Sequence, residues 1–164
     1  MSYTNPFLTR VAVATAIIPA TDGTPTLVST FGDRLYLGPG CEGLGNHRSP
    51  QTNQRTVEFP LLTETRTSAE IYGGFKSEEG VKLELDQLGL TLAQFCVEKD
   101  FFQDGDLALI QVEVEGVLSF FVAYVDVYDD GSLDVSVYEL ADDDVWVARY
   151  QRRVVVPQLD PATP

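Results

Sequence analysis

From Leu107 to Val156 the chain runs through four apolar, β-branched segments separated by short turns and acids, and this constrains the fold more than any other stretch. Segments joined by turns too short for a crossover helix pair as an antiparallel β-meander. With 164 residues, 44% of them hydrophobic, the chain is long enough to bury one core, so a single β-rich domain over residues 1–164 is expected. The expected architecture is mainly β: an antiparallel β-sandwich or partly open barrel, with the C-terminal β-meander and one short α-helix near residues 91–100.

Register follows from pattern. Ala108, Ile110, Val112 and Val114 alternate with Gln111, Glu113 and Glu115, which predicts a first strand with one buried and one wet face. A three-residue loop Asp129–Asp130–Gly131 sets Val127 opposite Leu133, Val125 opposite Val135 and Ala123 opposite Val137. A two-residue loop instead opposes Val127 to Asp134. The longer loop keeps apolar residues together and puts Gly131 at the left-handed position of a type I turn plus bulge. Tyr124, Asp126 and Tyr128 then share an outer face with Asp134, Ser136 and Tyr138, and Asp126 lies across from Asp134 as a like-charge pair.

Upstream, Phe7–Ile18, Thr26–Thr30, Arg34–Leu37, Thr56–Leu62 and Ser68–Phe75 read as strands. Gly38–Arg55, almost without apolar residues and rich in turn formers, reads as a long surface loop of the kind that carries binding elements. The helix is predicted to start at Thr91, where Thr91 and Gln94 have capping-box spacing and Leu92, Phe95 and Cys96 share one side. Cys96 is then a small buried hydrophobe. The run Val11–Ala20 follows a non-basic segment and reads as a strand, not a signal sequence, and no apolar run reaches transmembrane length, so a cytoplasmic location is expected.

Charge narrows the partners. The net charge is −14, and it is regional: residues 1–75 carry five arginines against six acids, whereas residues 76–164 carry six bases against nineteen acids. Such a surface repels nucleic acid and anionic membrane and favours a partner protein with a basic surface. Arg149, Arg152 and Arg153 are the only bases after Lys99, placed to neutralise aspartates or to lock a homo-oligomer against the acidic face of a second copy. The run Asp142–Asp144 reads as a solvated turn.

Motifs for chemistry are incomplete. Gly38, Gly40 and Gly43 match a dinucleotide-type glycine spacing, but the residues that follow form no helical face and include Pro50, so a nucleotide cofactor is not expected. Asp126, Asp130 and Gly131 echo a calcium loop whose third and twelfth places hold Tyr128 and Val137, the wrong ligands, and no metal is expected. His47 is the only histidine, six residues from Cys41, with no orienting partner, so no catalytic residue is assigned.

The segment QDGDLALI, Gln103–Ile110, resembles the strand entered by a DGDL-type motif in the self-cleaving LexA repressor family. That resemblance puts Cys96 at the nucleophile position and Tyr138 at the place of the base. With no lysine after Lys99, it implies a catalytically empty relative.

The reading that results is a non-enzymatic protein-binding or assembly module, a small accessory or viral-type protein including an inhibitor of a basic surface. Tyr124, Asp126, Tyr128, Asp134 and Tyr138 on the sheet face, with His47 and Arg48 in the glycine-rich loop, are the candidate partner-binding residues. The alternatives are a nucleic-acid-mimicking inhibitor whose carboxylates stand in for phosphates, and a ligand-binding or enzymatic β-barrel lined by Phe120, Phe121, Tyr124 and Trp146.

Overall fold

The computed structural model describes residues 3–141, 145–148 and 152–159. Seven strands, β1 (Thr15–Ile18), β2 (Leu35–Leu37), β3 (Arg55–Glu58), β4 (Leu107–Val114), β5 (Val117–Val127), β6 (Leu133–Glu139) and β7 (Val154–Pro157), form one sheet in the spatial order β1-β3-β7-β4-β5-β6-β2. The mainly β character and the C-terminal meander β4-β5-β6 are as the sequence predicts. The sheet is open, not closed into a barrel, and it is mixed, because β7 runs parallel to β4 and β2 parallel to β6.

Helices α1 (Leu27–Phe31), α2 (Ser68–Gly73), α3 (Leu85–Leu88) and α4 (Leu92–Val97) cover this sheet. Leu27 of α1 and Leu92 and Phe95 of α4 pack against Ala108, Ile110, Val125 and Val135 on one face. On the other face, Ile71 and Tyr72 of α2 and Leu88 of α3 pack against Leu107, Leu109, Val122 and Val154. A sheet covered on both faces buries successive residues of its central strands. Ala108, Ile110 and Val112 are buried as the alternation in β4 predicts, but Leu107 and Leu109 between them are buried too, and Val114, predicted buried, is 48% exposed.

Two predicted strands are helices. Thr26 caps α1 by accepting from the Ser29 amide at 3.1 Å, while Ser29 Oγ accepts from the Thr26 amide at 2.9 Å. Thr67 and Glu70 make the same reciprocal pair at the start of α2, at 3.2 and 3.0 Å. These caps satisfy amides that have no partner inside the first helical turn, and they favour helices where strands are predicted at Thr26–Thr30 and Ser68–Phe75. The predicted box at Thr91 and Gln94 is present, at 3.1 and 3.0 Å, and Cys96 is buried. Of Phe7–Ile18 only Thr15–Ile18 is a regular strand, and of Thr56–Leu62 only the beginning lies in β3, Arg55–Glu58.

The β5-β6 hairpin has the three-residue register. Val127 pairs with Leu133, Val125 with Val135, Ala123 with Val137 and Asp126 with Asp134. Tyr128 N–H donates to Ser132 O at 2.9 Å, Gly131 N–H to Tyr128 O at 2.8 Å, and Gly131 has φ 84°. A Cβ at Gly131 meets no atom within 4 Å, so only the backbone opposes substitution. Gly131→Val is therefore expected to destabilise the protein by about 1–2 kcal/mol, measured by urea denaturation, with an unchanged slope against denaturant.

Asp104-Gly105-Asp106 is a structural clamp. Gly105 has φ 88° and its N–H donates to Val125 O at 2.8 Å, Asp104 Oδ1 accepts from the Val127 amide at 2.9 Å, and Asp106 Oδ2 accepts from the Gln103 amide at 2.9 Å. The motif thus ties the start of β4 to the end of β5. Asp106 also forms a buried ion pair with Arg153, with Arg153 Nε to Asp106 Oδ1 at 2.9 Å and Nη2 to Oδ2 at 2.7 Å. The Arg153 guanidinium lies 3.9 Å from the Phe59 ring centroid.

Candidate functional site

The outer face of β5 and β6 extends across three strands and is capped by a tryptophan from elsewhere in the chain. Because side chains alternate along a strand, Tyr124 and Asp126 of β5, with Tyr128 just beyond it, lie on the side opposite Ala123 and Val125, and Asp134, Ser136 and Tyr138 of β6 on the side opposite Val135 and Val137. The parallel pairing of Tyr36 with Ser136 brings β2 into the same surface. Trp146 arrives on a two-residue strand, Val145–Trp146, paired antiparallel with Arg66–Thr67, and its indole N–H donates to Ser68 Oγ at 2.5 Å.

Four rings form a continuous row. Tyr36 and Tyr138 centroids are 6.0 Å apart, Tyr138 and Trp146 6.5 Å, and Trp146 stacks on Tyr124 at 5.3 Å with 28° between planes. The Arg152 guanidinium lies 5.2 Å from the Tyr124 centroid and 5.4 Å from that of Trp146. Carbonyls hold it there: Nε donates to Val147 O at 3.2 Å and Nη1 to Gly105 O at 3.0 Å. The row is thus fixed in place at its Tyr124 end and open at the other, where Tyr36 on the terminal strand is 54% exposed.

The like-charge pair predicted from the register has a counterion that the sequence reading missed. Arg34, just before β2, donates from Nη1 to Asp134 Oδ1 at 2.9 Å, and the Tyr128 hydroxyl donates to Asp134 Oδ2 at 2.7 Å. These two donors, the hydroxyl first, hold the Asp134 carboxyl below its ordinary pKa, and the same contact raises that of Tyr128. Burial, and then Asp126 beside it, raises Tyr124. Among the described residues no group of three His, Cys, Asp or Glu side chains is arranged to hold a metal ion.

His47 and Arg48 do not join this face. The loop predicted as an open surface segment folds around a 3₁₀ turn, Glu42–Leu44, with Cys41 and Leu44 buried in the core on the other side of the sheet. Arg48 Nη2 donates to Thr24 Oγ1 at 3.3 Å, and Ser49 Oγ accepts from the Ala93 amide of α4 at 2.9 Å. Arg149, Tyr150 and Asp142–Asp144 lie outside the described residues.

The other arrangements weighed from sequence are dispersed. Cys96 belongs to the core on the α4 side, whereas Tyr138 faces the opposite side of the sheet, so the positions singled out by the repressor resemblance are separated by a layer of backbone. Burial pushes the Cys96 thiol up to about 11, out of the range of a useful thiolate at neutral pH. Phe120 and Phe121 pack against opposite faces, and Tyr124 and Trp146 stack on each other, so these four line no common cavity. No helix among the described residues is long and apolar enough to cross a membrane. No protein-family model, curated protein or solved structure matches the chain.

Proposed function

We propose that this protein is a non-enzymatic, cytoplasmic binding module that engages a partner protein through the row Tyr36, Tyr138, Trp146 and Tyr124, with Arg152 holding the row in place. The observation that carries this reading is the row itself. Tyrosine, tryptophan and arginine dominate the energetics of protein interfaces, and rings with few rotatable bonds lose little entropy on contact. Here their packing on one another and on Arg152 leaves less to order on binding. The surroundings favour a basic partner: Asp126 and Asp134 share the face with the row, and among the described residues Arg34 and Arg152 beside it are already engaged.

A photo-crosslinking test addresses this directly. With p-benzoylphenylalanine at Tyr36 in the native host, irradiation is expected to capture one predominant protein, identified by mass spectrometry, and the yield is expected to fall when Trp146→Ala is added. The same probe at Val81, 65% exposed on another part of the molecule, is the control. The same set of products from both positions would refute the reading, as would no product from Tyr36.

A further inference from the structure

The β4-β5 hairpin outruns the sheet. β6 ends its pairing with β5 at Glu139 opposite Phe121, yet β5 continues back to Val117, paired there, among the described residues, only with β4. Glu115 and Gly116 both have positive φ, 53° and 80°, so the hairpin closes with a two-residue turn and Val114 faces Val117 as its last bonded pair. Hydrogen-bonded and non-bonded pairs alternate along an antiparallel ladder. The N–H and C=O of Leu118 therefore point away from β4, to the side where β6 has already ended. The last bond on that side among the described residues is a long one, Leu140 N–H to Phe120 O at 3.4 Å.

A hollow of about 580 Å³ lies at this step in the sheet edge. Its floor is Ser119, Phe120 and Phe121; Ala69 and Leu140 border it on the α2 side and Gly40 on the other. It thus continues the line of β6 between the two layers that cover the sheet, the space that an added strand needs. A second, smaller hollow lies on the other flank of Phe120, beside Leu118, Glu84 and Asp86. Val114, Val117 and Leu118 at the end of the hairpin are 48%, 64% and 41% exposed. The charged residues that line the two hollows, Glu139, Glu84 and Asp86, are all acidic, as are Glu113 and Glu115 on the hairpin.

We propose that this step is a strand-addition site for an extended segment of a partner protein that alternates lysine or arginine with apolar residues. Backbone pairing with Leu118 supplies the docking, the apolar side chains lie along Phe120 and Leu140, and the basic ones, on the opposite face, meet Glu139. The proposal shares the binding-module reading but uses an edge distinct from the Tyr36 row, so either can fail alone.

The probe is the end-capped peptide Lys-Val-Lys-Val-Lys-Val, titrated to millimolar concentration into the ¹⁵N-labelled full chain, with Glu-Val-Glu-Val-Glu-Val as the counterpart. The lysine peptide is expected to shift the amide signals of Leu118–Phe121 and Glu139–Ala141 and to slow hydrogen exchange at Leu118 several-fold, with the effect fading as salt is raised. Leu118→Pro removes the amide donor and is expected to abolish binding. Glu139→Gln, which leaves the backbone untouched, is expected to weaken binding at least threefold, and an unaltered remainder of the spectrum shows the fold intact. Equal shifts from both peptides, or no shift at millimolar peptide, would overturn the proposal. Shifts confined to the Tyr36 edge would also overturn it while leaving the aromatic-row reading in place.

Discussion

Arg153→Ala is expected to destabilise the protein by about 3–5 kcal/mol, the range for removing one partner of a buried ion pair. Arg153 is 5% exposed and Asp106 1%, so the carboxylate left behind cannot be rehydrated without opening the core. The loss extends beyond charge. Arg153 Nη2 also donates to Phe101 O at 2.8 Å, and the guanidinium covers Phe59 at 3.9 Å, so alanine leaves an unbonded carbonyl and an apolar void together. Urea denaturation measures the effect. A loss below about 1 kcal/mol at neutral pH would mean that water reaches the pair.

Glu98→Gln is expected to stabilise the protein above pH 8 and to leave it nearly unchanged near pH 4. Glu98, just after α4, is fully buried, and neither carboxyl oxygen has a hydrogen-bond partner among the described residues. Burial, then the charge of Asp106, pushes its pKa up to about 8, with Arg153 partly opposing the shift. The folded state therefore holds a proton that the unfolded chain, with an ordinary glutamate, releases at about 4.3. Stability conferred by that proton is complete below the unfolded value and declines as pH rises from there to about 8, by about 1.4 kcal/mol per pH unit at most. Glutamine removes this slope. Thermal denaturation of both proteins from pH 4 to 9 reads it, and curves that stay parallel would show that Glu98 does not titrate with folding.

The parts of the fold legible in the sequence were those set by short-range pattern. The β5-β6 register followed from keeping valines opposite valines and from a glycine at the one position with positive φ. The cap at Thr91 followed from two residues three apart. The same spacing is present at Thr26–Ser29 and Thr67–Glu70, where the predicted strands are helices. The insertion of β7 between β3 and β4, and the parallel approach of β2 to β6, left no local trace, because these pairings join segments far apart in the chain.

The candidate site divides along the same line. Tyr124, Tyr128 and Tyr138 were placed on one face by alternation alone. Tyr36, Arg34 and Trp146 reach that face through long-range pairing, which no spacing encodes. Arg153 is predicted to neutralise a neighbouring aspartate, and its burial with Asp106 depends on the three-layer packing. His47 and Arg48 are predicted to bind from a surface loop, and that loop is anchored by two buried residues, Cys41 and Leu44, in the core on the other side of the sheet.

The central claim, that the aromatic row binds a protein, is tested most directly by the affinity of the crosslinked partner for the wild type and for Tyr138→Ala, measured by isothermal titration calorimetry. Tyr138 sits in the middle of the row and half-buried, so its truncation removes contact to both Tyr36 and Trp146. A hot-spot residue in that position is expected to contribute at least about 2 kcal/mol, a weakening of roughly thirtyfold, with an unchanged denaturation midpoint excluding misfolding. An affinity within twofold of the wild type would contradict the account.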